Sequence, residues 1–165
     1  MESIWEDLKY ERSLSRNEFP VLLDEMVERG LLDDLDELAI ALEDAWTMAD
    51  LPLLALGRQR WIELFRRVGY LSDTVRRESL RPRIPLTLYR AAAAYDRVKP
   101  GLAWSQDIEQ ARSFQEYNLR HIRGPLFLFS AQVEPSEMLA YFHQTRAENE
   151  FLVDIPRERV HQLDE

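Results

Sequence analysis

The spacing of apolar residues changes between Pro82 and Pro85, and that change constrains the fold more than any other feature. Before it, apolar side chains recur at helical intervals; after it, they alternate in short runs. Two prolines three residues apart disfavour helix in their flanks and make the junction extended. The expected class is α+β, with a helical unit at residues 1–80 and a mainly antiparallel β core at residues 81–165.

In the helical part, Ser15-Arg16-Asn17-Glu18 reads as a capping box. Phe19, Leu22, Leu23, Met26 and Val27 follow at helical spacing, and Gly30 supplies the stop. A second helix is expected from Asp33 or Asp34 through Trp46 to Ala49, its acids opposing the helix dipole. A third starts at Pro52, carries Trp61, Leu64, Phe65 and Val68 on one face, and ends at Gly69. A shorter helical piece is expected over Ser72 to Ser79. Asp33 to Glu37 lacks the glycine and the bidentate glutamate of a calcium loop, so it reads as a helix start. Trp46 and Trp61 lie on apolar stripes, as core aromatics do.

Charge is divided unevenly. Residues 1–80 carry 10 basic and 18 acidic side chains, and residues 81–165 carry 11 and 12, within an overall −9. That balance disfavours sequence-independent nucleic-acid binding and directs any anionic ligand to the C-terminal half. The absence of cysteine removes disulfides, thiolate nucleophiles and cysteine-based metal sites, and is compatible with a reducing cytoplasm. His121, His143 and His161 lack metal-ligand spacing, so no metal is expected. No apolar run has the length of a membrane span, and the acidic start lacks the apolar segment of a secretion signal.

In the C-terminal half, Leu86 to Arg90 alternates as a short strand that delivers Arg90 at its end. Trp104 and Ser105 precede a helix that carries Ile108, Ala111 and Phe114 or Gln115. Leu126 to Val133 is nearly continuous in apolar character, as expected of a strand buried on both faces. Pro135 to Glu137 reads as a turn, and Met138 to Phe142 as extended. The last strand, Glu148-Asn149-Glu150-Phe151-Leu152-Val153, sets Glu148 and Glu150 on one face and Phe151 and Val153 on the other. Paired carboxylates suit charge stabilisation or acid/base work; the same pattern also fits the solvent face of an edge strand.

The order LYR at residues 88–90, AWS at 103–105 ahead of Ala111 and Phe114, and ENEFLV at 148–153 resembles the R–S–E class of mono-ADP-ribosyltransferases over residues 86–156. The resemblance implies a split β core and cleavage of the nicotinamide–ribose bond of NAD through an oxocarbenium-like state, chemistry close to glycoside hydrolysis. It implies Glu150 as the carboxylate that stabilises the cation, and Glu148 as the group that orients or deprotonates the acceptor. Arg90 would grip the pyrophosphate or adjoining ribose, with a structural partner for a β-core carboxylate as the alternative. Ser105 would brace Glu150 and the ribose. Ala91, Trp104 and Phe114 would line the cofactor pocket, and Trp104 serves equally well as core.

His143, Gln144 and Arg146 occupy the loop where such enzymes recognise an acceptor, so with Glu148 they are the substrate-binding candidates. A Glu at position 148 points to a protein acceptor such as an arginine side chain, rather than nucleic acid. The acidic helical unit would bind or position a partner bearing a basic patch. Two positions depart from the family pattern: Ala91 stands where glycine is common, and Ala103 where the first serine of the S-T-S element falls. They motivate two other outcomes, a degenerate interaction module on the same fold and an NAD glycohydrolase.

Overall fold

The computed structural model describes residues 3–97, 100–121, 125–144 and 149–163. These divide into two compact units, one of residues 3–80 with Gln144, the other of residues 81–143 and 149–163.

The first unit is mostly helical. Helix α1 (Ile4–Arg12) was not expected, and its cause is local: Ser3 caps it by accepting from the Glu6 N–H, and Glu6 and Asp7 sit in its first turn. Trp5 anchors it, fully buried, with its Nε1–H donating to Asp44 at 2.8 Å. The Ser15 capping box forms around a 3-10 turn, Arg16–Glu18, that opens into α2 (Phe19–Glu28). Gly30 then takes φ +69°, a left-handed value that glycine adopts without steric cost. Asp34 caps α3 (Leu35–Met48) by accepting from the Asp36 and Glu37 N–H groups, which is the helix-start role expected of the acidic run.

The helix expected from Pro52 onward is two pieces, α4 (Pro52–Ala55) and α5 (Arg58–Val68). The break falls at Leu56 and Gly57, both extended, because glycine carries a helix-interior cost and offers no side chain to hold the register. Trp46 and Trp61 pack edge to face at 5.1 Å, and Phe65 stacks on Trp61, so the tryptophans are core. The helical piece expected over Ser72 to Ser79 is instead a hairpin of β1 (Leu71–Ser72) and β2 (Val75–Arg76), followed by a 3-10 turn at Glu78–Leu80. The two-residue loop Asp73-Thr74 accounts for it: Asp73 adopts φ +51°, which aspartate tolerates better than most residues.

The second unit holds β3 (Leu86–Ala92), β4 (Ala103–Trp104), α6 (Ile108–His121), β5 (Phe127–Val133), β6 (Met138–Phe142), β7 (Glu150–Val153) and β8 (His161–Gln162). Its strands run in two orders, β6-β7-β4 and β3-β5-β8, antiparallel throughout the described pairings. The class is thus α+β, N-terminal helices followed by mostly antiparallel sheets. Strand β5 buries Leu128, Phe129, Ala131 and Val133 while Gln132 is exposed. Phe142, Leu152, Val153 and Leu102 complete the core of this unit. Among the described residues no helix is long and apolar enough to cross a membrane.

Candidate functional site

Three strands carry the residues singled out by the family pattern, and backbone pairing sets them side by side. Tyr89 of β3 exchanges two hydrogen bonds with Ser105: its N–H donates to the Ser105 carbonyl at 2.7 Å and its carbonyl accepts from the Ser105 N–H at 2.8 Å. Strand β4 pairs with β7 as Ala103 with Leu152 and Trp104 with Phe151. Directly opposed residues of antiparallel strands project to the same face, so Tyr89 and Ser105 form one cross-strand row, and Glu150 follows from Phe151, the partner of Trp104.

Glu150 is half-buried in a strand whose other three residues are buried, and it pairs with Phe142 across β6. Ser105 is buried; its Oγ accepts from the Asp107 N–H at 3.1 Å and donates to Gln110 Oε1 at 3.2 Å. The hydroxyl is thereby fixed at the head of α6, where Asp107 in turn accepts from the Glu109 N–H.

Arg90 follows Tyr89, so by strand alternation it leaves β3 on the side of Trp104 rather than of Ser105. Its Nε–H and Nη2–H donate to the two oxygens of Asp96 at 3.1 and 3.4 Å, and its Nη1–H donates to the Ala103 carbonyl at 2.9 Å. The Arg90 side chain keeps 23% of its surface exposed, whereas that of Asp96 keeps 5%. Asp96 also accepts from the Gly101 N–H at 3.0 Å. The buried-carboxylate partner weighed as the alternative for Arg90 is therefore present, and it is Asp96.

The other candidates are spread around this row. Ala91 is buried opposite Leu128. Trp104 is buried, its Nε1–H donating to the Gly101 carbonyl at 2.8 Å. Phe114 is exposed on α6. The exposed His143 ring stacks on Tyr141 at 5.1 Å, and Tyr141 stacks on Phe151 at 4.5 Å, which puts this aromatic ladder on the face opposite Glu150. Gln144 groups with the first unit, where its backbone N–H donates to Asp73 at 3.2 Å. Glu148 and Arg146 lie outside the described residues.

Pairing thus sets Ser105 beside the strand that carries Arg90 and β4 beside the strand that carries Glu150, while Gln144 groups with the first unit. Asp96 and Gly101 were missed by sequence reasoning. The available signal was an acid six residues after Arg90 and a glycine five further on, within a run too short and mixed to show a period. Among the described residues no three His, Asp or Glu side chains converge as metal ligands. No protein-family model, curated protein or solved structure matches the chain.

Proposed function

We propose that the second unit is an NAD-consuming mono-ADP-ribosyltransferase core, with Glu150 as the residue that stabilises the reacting sugar. The observation that supports this reading is the backbone pairing that sets Ser105 beside the strand carrying Arg90 and β4 beside β7, the strand carrying Glu150. Glu150 is half-buried at the start of β7, and a preorganised carboxylate of this kind favours a developing cation. The bond from the ribose anomeric carbon to the nicotinamide nitrogen breaks, and its electron pair leaves with nicotinamide. A nucleophile on the acceptor then bonds to that carbon, and its proton passes to Glu148, the second carboxylate of the pair.

The acceptor best suited to the chain is a protein with a basic patch, an arginine side chain being the nucleophile that Glu148 favours. The net −8 of residues 1–80 supports this through charge complementarity. A second reading is a degenerate NAD-binding or interaction module, favoured by Ala91, by Ala103 and by the engagement of Arg90 with Asp96.

Incubation of the full chain with NAD labelled on its adenylate part, with and without cell lysate, separates the outcomes. A labelled protein together with released nicotinamide is the result expected of a transferase. Unattached labelled ADP-ribose as the product would make it a glycohydrolase. NAD binding by calorimetry without product would leave the degenerate module.

A further inference from the structure

We infer that Asp96 and Gly101 are positioning residues that hold the Arg90 guanidinium ready for NAD, a role that rests on the NAD reading above. Arginine carries five N–H donors in a planar fork. Among the described residues, three of them are engaged: two on Asp96 and one on the Ala103 carbonyl. One N–H on each terminal nitrogen is left over from these three bonds. Asp96 is itself anchored, by the Gly101 N–H at 3.0 Å and by its own N–H donating to the Ala93 carbonyl at 3.0 Å. A long cation that would otherwise sample many rotamers is thereby ordered before the ligand arrives.

Gly101 gives a second and independent observation. A Cβ at this position would lie 2.1 Å from Arg90 Nη2 and 2.3 Å from its Cζ, so the guanidinium lies flat on the glycine backbone. Any other residue at 101 expels Arg90 from its place. Asp96 and Gly101 thus hold Arg90 by charge and by shape.

The test is steady-state nicotinamide release by the full chain carrying Asp96→Asn, Gly101→Ala, Arg90→Lys, and Arg90→Lys with Asp96→Asn. Arg90 acts on a part of NAD remote from the breaking bond, so loss of its placement weakens ground state and transition state alike. Asp96→Asn and Gly101→Ala should each raise the KM for NAD about tenfold, with kcat within about twofold of the parent. Asp96→Asn should add nothing further on top of Arg90→Lys, since both changes remove the same interaction.

A purely structural Asp96 would instead lower the folded fraction or kcat, and its effect would add to that of Arg90→Lys; that result overturns the role. Should Asp96→Asn not fold, Gly101→Ala decides, because it leaves the carboxylate in place. An active parent whose variants keep the parental KM overturns the positioning role alone. A parent that neither binds nor cleaves NAD overturns the NAD reading and this role with it.

Discussion

At the scale of single residues, the proposed chemistry rests on Glu150. Glu150→Gln keeps the shape of the side chain and removes its charge, so about 3 kcal/mol of transition-state stabilisation is lost and nicotinamide release slows roughly 100-fold. Far-UV circular dichroism should show the fold unchanged, because the residue is half-buried and at the start of β7. The placement of Glu150 in a strand and of Ser105 just after one was legible in the sequence because strand alternation and a short motif are both local. Asp96 was not: what gives it meaning is the loop that returns to Arg90, and a contact between a strand and the loop beyond it leaves no periodic trace.

At the scale of elements, stability of the first unit depends on how α1 is fastened. Trp5 is fully buried and stacks edge to face on Phe19 at 6.0 Å, so Trp5→Ala should cost about 3 to 5 kcal/mol, measurable by urea denaturation. Lys9 bonds Asp44 and Glu6 and lies over the Trp5 and Phe19 rings. Burial alone would lower the Lys9 pKa, but the hydrogen bonds to Asp44 and Glu6 outweigh it and hold the ammonium above its ordinary value. A raised folded pKa stabilises the fold fully below the unfolded value, about 10.4, and that contribution disappears as pH rises through the folded value. Lys9→Met should therefore flatten the alkaline limb of the stability-against-pH curve, which denaturation midpoints between neutral pH and the alkaline limb will show.

Helices α2 and α3 and strand β3 were readable from a clear period, and strands β5 and β6 from short apolar runs bounded by turn signals. The elements that were not readable fail for physical reasons. Helix α1 has one large apolar anchor, Trp5, in an otherwise charged segment, so its stability comes from docking and not from a stripe. The α4–α5 break depends on Gly57, whose place inside an apolar helical pattern is compatible with either a kink or a continuous helix. The β1–β2 hairpin has strands of two residues each, below the length at which alternation can be seen.

At the scale of the whole molecule, the proposed function assigns the acidity of the first 80 residues to acceptor capture. The acidic residues of the first 80 positions should matter for capture of a basic acceptor and not for NAD cleavage. Raising salt from about 0.05 to 0.5 M shortens the screening length several-fold, so label transfer to a basic protein should fall roughly tenfold. Nicotinamide release without acceptor should change far less, and equal loss of both would assign the acidity another purpose. The chain divides into two compact units between residues 80 and 81, next to Pro82 and Pro85, where the shift in period coincides with two helix-breaking residues.

The most direct measurement is the initial rate of nicotinamide release from NAD by the full chain and by its Glu150→Gln variant, followed side by side with calorimetry of NAD binding. The account predicts release by the parent, and roughly 100-fold slower release by a variant that still binds NAD. Equal rates for the two, or a parent that neither releases nicotinamide nor binds NAD, would contradict it.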